Sequence, residues 1–102
     1  MTIATRVQNI INVEDSELGV INELIDIQTE SLLLLINEKT LPKNMEFIVV
    51  ETTIARYNRI GSEGLDSERI DIVNQTFTKN IFEPYQKLIS EYRKNKYRIR
   101  VV

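Results

Sequence analysis

The chain is 102 residues long, with 42% apolar and 27% charged side chains and a net charge of -2, a balance that supports one folded domain and excludes a disordered acidic or basic polymer. Cysteine and histidine are both absent, which removes disulfides, thiolate nucleophiles, imidazole bases and the usual zinc ligands together. The charge is uneven: residues 1–51 carry three basic and nine acidic side chains, while residues 52–102 carry ten basic and six acidic ones. Opposite charges at the two ends of identical subunits can meet head to tail, although solvated faces account for the same pattern. No basic leader with an apolar stretch opens the sequence, and the longest apolar run, Leu32 to Ile36, falls short of the roughly 20 residues of a spanning helix. Neither secretion nor membrane insertion is expected.

Thr5 with Gln8 three positions on fits a capping box, and Val7, Ile10 and Ile11 follow at helical spacing, predicting a first helix that ends near Val13. Asp15 and Ser16 are cap residues for a second helix, with Glu14, Asp15 and Glu17 placed to complement its dipole. Its apolar stripe is Leu18, Ile21, Leu24, Ile25, Gln28 and Leu32, and the run from Leu32 to Ile36 carries it to about Glu38. A helix apolar on all sides must be covered on all sides. Core burial accounts for most of that run; with few helices to surround it, a subunit contact is the alternative for the rest. Pro42 suits the first turn of a third helix. There Val50, Ile54 and Tyr57 form one stripe and Met45, Ile48 and Val49 another, as in a central helix packed on two sides. The third helix is expected to stop at Gly61.

From about 61 to 79 the pattern is polar and irregular, with Ile70, Ile72 and Phe77 its main apolar points, and reads as a long, flexible loop. Asn80 and Glu83 give another capping signature before a fourth helix with Tyr85, Leu88, Ile89 and Tyr92 at helical spacing. After Arg93-Lys94-Asn95-Lys96, alternation in Tyr97-Arg98-Ile99-Arg100-Val101-Val102 predicts a short extended tail over about 96–102. The fold class that results is mainly α: one domain over 1–102, a small bundle of about four helices.

Glu63, Asp66, Glu68 and Asp71 cluster near the loop, but their spacing matches no calcium-loop pattern, and no phosphate loop or nucleophile elbow is present. No catalytic residue, metal or cofactor is therefore assigned. Residues 79–102 hold seven basic and two acidic side chains with three tyrosines interleaved, so Arg93, Lys94 and Lys96 are candidates for weak DNA contact. A helix C-terminus also favours such cations through its dipole, and an overall pI near 5.2 is low for a sequence-reading DNA binder.

The most informative segment is Arg56-Tyr57-Asn58-Arg59-Ile60-Gly61-Ser62-Glu63-Gly64. Gly61 and Gly64 permit a sharp exit from the third helix, Arg56 and Arg59 complement its C-terminal dipole, and Glu63 is within reach of folding back on them. Together with the preceding Leu41-Pro42 and the apolar helix bearing Glu51, and with the Tyr85 to Tyr92 helix closing on a basic tail, it resembles the tailed-bacteriophage head-tail connector proteins, also called neck adaptors or DNA-packaging connector proteins. Ile11-Asn12-Val13-Glu14-Asp15 is similar to the family's first-helix exit, where glycine often stands at the position of Asn12. The loop here reads Leu65-Asp66-Ser67-Glu68-Arg69-Ile70-Asp71, in place of a stretch rich in glycine and serine.

The resemblance implies a non-enzymatic structural protein of the virion neck, assembled in the bacterial host cytoplasm as a twelvefold ring on the portal protein. Such a ring extends the channel for packaged DNA and receives the next neck or tail-completion protein; no membrane is involved. Arg59, Glu63, Ile70, Ile72, Phe77, Tyr97, Arg98, Ile99 and Arg100 are the candidate subunit or portal contacts. A small DNA-binding accessory factor in packaging is the alternative function.

Overall fold

A computed structural model describes residues 2–63 and 81–101, with side-chain detail for 2–60 and 81–96. Four α-helices, α1 (Ile3–Ile10), α2 (Leu18–Ile36), α3 (Glu46–Glu63) and α4 (Gln86–Val101), account for most of these residues, and there is no strand among them. The fold class is mainly α, as the periodicities indicate. Single 3-10 turns at Asp15–Glu17, Lys43–Met45 and Glu83–Tyr85 lead into α2, α3 and α4.

The helix ends differ in detail from those the sequence predicts. Thr2, rather than Thr5, caps α1: its Oγ1 accepts from the Thr5 backbone N–H at 3.1 Å, and the helix closes at Ile10 instead of Val13. Asp15 and Ser16 do not cap α2 with their side chains; Asp15 and Glu17 sit in the preceding turn, where their charge still favours the amide end. At its other end α2 stops at Ile36 because Asn37 adopts a left-handed conformation (φ 57°), and the Glu38 N–H closes onto the Leu33 carbonyl at 3.1 Å. Asparagine tolerates this geometry better than most side chains.

Two expectations fail along α3 and α4. Gly61 does not stop α3, which continues to Glu63. Glycine weakens a helix interior by only about 0.5–1 kcal/mol relative to alanine, less than the gain from continuing an established helix. The extended tail predicted over 96–102 is instead helical through Val101. Six alternating residues are too few to separate the two periods. The preceding Arg93, Lys94 and Lys96 are good helix formers, and an extended segment needs a partner strand, which the described residues do not contain. The loop predicted over about 61–79 lies outside the described residues from Gly64 on, as do Ile70, Ile72, Phe77 and the capping residue Asn80.

α3 is the central element. Met45, Ile48 and Val49 join Leu32, Ile36, Phe82 and Ile89 in one buried cluster, while Val50, Ile54 and Tyr57 pack with Val7 and Ile21 in another. These are the two stripes read from the sequence. Of the Leu32–Ile36 run, Leu32 and Ile36 are buried, Leu33 and Leu35 pack against the first cluster, and Leu34 stands 83% exposed.

Candidate assembly surface

The conspicuous segment of α3 divides between core and surface. Arg56 is 4% exposed, and its Nη1 donates to Gln28 Oε1 at 2.8 Å across the α2–α3 interface. Gln28, Thr52, Thr53 and Arg56 are the buried polar side chains among the described residues. Thr52 returns its hydroxyl to the Ile48 carbonyl at 2.7 Å, which lets a polar side chain sit inside the bundle. Gln28 Nε2 and Thr53 Oγ1 have no hydrogen-bond partner among the described residues. Burial pushes the Arg56 guanidinium pKa below its ordinary value, because the charged form loses hydration.

Tyr57 packs in the second core cluster, while Asn58 and Arg59 are exposed. Arg59 lies at a cavity of about 350 Å³ between α3 and the entry to α4, lined also by Glu51, Ala55, Pro84 and Tyr85. Gly61, Ser62 and Glu63 continue the helix, and Gly64 lies outside the described residues. The segment is thus the last turns of a core helix, with one arginine inside and one outside.

Polar clamps attach α4. The Tyr85 hydroxyl donates to Glu51 on α3, and the Tyr92 hydroxyl donates to Glu38 just beyond α2. Lys96 reaches the same Glu38 carboxylate at 3.2 Å and also donates to the Asn37 carbonyl. Burial, and then the hydrogen bond and charge of Glu51, push the Tyr85 hydroxyl up to about 12. The hydrogen bond to Glu38 is the main cause that raises Tyr92. Phe47 meets Tyr85 edge to face, with ring centroids 6.1 Å apart.

Arg93 and Lys94 are exposed on α4, whereas Lys96 is held by Glu38. Tyr97, Arg98, Ile99 and Arg100 lie on the helical backbone of the same element. No group of three potential metal ligands occurs among the described residues; Asp66, Glu68 and Asp71 lie outside them. No helix among the described residues is long and apolar enough to cross a membrane. The buried Gln28–Arg56 pair and the tyrosine clamps were missed in reading the sequence. Gln28 on an otherwise apolar stripe was the available signal, since a polar side chain at a core position requires a partner.

The described residues form a bundle of α-helices with grooves beside α4. The family model of the phage gp6-like head-tail connector protein matches residues 5–93. The chain belongs to that family of structural phage connectors, whose place is the neck between head and tail. No curated protein and no solved structure matches it.

Proposed function

We propose that the chain is a non-enzymatic ring subunit of the virion neck. Twelve copies seat on the portal protein, continue the channel through which packaged DNA passes and receive the next neck or tail-completion protein. Assembly takes place in the host cytoplasm, without membrane or cofactor. The family match over residues 5–93 carries this reading. The uneven charge supports it, because a heterologous interface that closes by rotation needs two different complementary patches. Arg59 and Glu63 at the end of α3, and the helix from Tyr97 to Arg100, are proposed contacts with neighbours; Ile70, Ile72 and Phe77 are proposed as further ones.

Native mass measurement and negative-stain imaging of the chain, alone and with portal protein, test the reading. Rings on the portal are expected; a monomer in isolation agrees with it, since the portal can act as template. The competing function, a DNA-binding accessory factor, draws on the exposed Arg93 and Lys94. Absence of rings and of portal binding, with salt-sensitive DNA binding lost on neutralising Arg93, Lys94, Lys96, Arg98 and Arg100, would establish it instead.

A further inference from the structure

Helix α4 is anchored unevenly along its length. Phe82, just before its entry, is fully buried, and Ile89, two turns further on, is buried beside it in the first core cluster. Over residues 90–96 every side chain is exposed or half-buried. A groove of about 220 Å³, lined by Met45, Phe47 and Ile48 together with Glu91, Tyr92 and Asn95, leaves this distal half incompletely packed on the core.

The polar ties of this half converge on the C-terminal cap of α2. The left-handed Asn37 turns the chain so that its own carbonyl and the Glu38 carboxylate both accept from Lys96, and Glu38 also accepts from the Tyr92 hydroxyl. Tyr92 and Lys96 are four residues apart, so a single turn of α4 makes all three bonds. The lysine charge also complements the negative end of the α2 dipole. Tyr92 adds partial packing of its ring against the first core cluster. Lys96 and Glu38 keep 22% and 30% of their side chains exposed, a setting in which an ion pair contributes little net stability.

We infer that α4 beyond Ile89 is a releasable arm latched by Glu38: it detaches from α2 and α3 while α1–α3 and residues 82–89 stay folded. The inference is independent of the ring reading. One carboxylate carries the ties of two side chains, so its loss frees both together. Isolated helices shorter than about 12–15 residues are marginal in water, so the freed segment loses its helix and its backbone amides lose protection. That is local opening, with a free energy below that of global unfolding. Release takes Tyr92 and Asn95 off the groove and uncovers more of Met45, Phe47 and Ile48.

Hydrogen–deuterium exchange of the full chain, followed amide by amide by NMR, tests the latch. In the unmodified chain the amides of residues 92–96 are expected to exchange about tenfold or more faster than those of residues 49–53 in the middle of α3. Glu38→Ala, which removes the shared acceptor but keeps the backbone bond that closes α2, should speed residues 92–96 by about a further tenfold and leave α1–α3 unchanged. Tyr92→Phe combined with Lys96→Met keeps Glu38 and the apolar bulk and should give the same pattern. Exchange over residues 92–96 that is unaltered in both variants overturns the latch. Acceleration of α1–α3 in step with α4, or a Glu38→Ala chain that does not fold, overturns it too, because α4 then opens only with the whole molecule.

Discussion

Gln28 and Arg56 each occupy a core position, and a hydrogen bond joins them. The Arg56 guanidinium gives up hydration, and Gln28 Oε1 returns one hydrogen bond at 2.8 Å. Replacing Gln28 by Leu removes this one hydrogen bond from the buried guanidinium, so it is expected to cost about 1 kcal/mol in urea denaturation, although leucine is the more apolar residue. The double change Gln28→Leu with Arg56→Met should cost less than the sum of the single changes, because the two side chains share one hydrogen bond that either single change already removes. Tyr85 provides a second test at this scale. Its hydroxyl ionises at about 12 in the folded protein against an ordinary 10.0, so the folded state keeps a proton that the unfolded state releases. The resulting stabilisation is complete below pH 10 and is lost as pH rises towards 12. Ultraviolet titration should show late-ionising tyrosine that diminishes in Tyr85→Phe, and the same change should reduce the pH dependence of stability across that window. Arg56 was read in the sequence as a cation serving the end of its helix, whereas it is a buried core residue. Periodicity gives the face on which a side chain lies but does not give the long-range partner, and Gln28 is 28 positions away.

At the scale of elements, apolar periodicity was the dependable signal and helix ends were not. Both stripes of α3 and the inner face of α2 follow the sequence pattern because burial of those side chains drives the packing. Gly61 and the Tyr97–Val101 segment were misread because each rested on a local preference of about 1 kcal/mol or less, which the continuing helix overrides. This distinction is measurable. Gly61→Ala should stabilise the protein by up to about 1 kcal/mol if the residue is in the helix interior, whereas a glycine at positive φ would make the same change destabilising. Gly19, in the first turn of α2 with nothing within 4 Å of an added Cβ, is the companion position, and Gly19→Ala is likewise expected to stabilise. Chemical denaturation of the two variants beside the parent decides both. Leu34 shows the corresponding limit for burial: the sequence places it in an apolar run, but only the packing of its neighbours reveals that the described residues leave it 83% exposed.

For the whole molecule, the family membership and the helical bundle were legible from the order of the motifs, while the contacts between copies were not, because a single sequence contains both sides of such an interface without marking which residues meet. In the proposed ring the chain is a unit completed by its neighbours. A cryo-electron-microscopy reconstruction of the neck, from particles that carry the chain, tests this most directly. A twelvefold ring of copies between portal and tail is the expected result. A neck in which the chain is absent, or present without forming a ring, would contradict it.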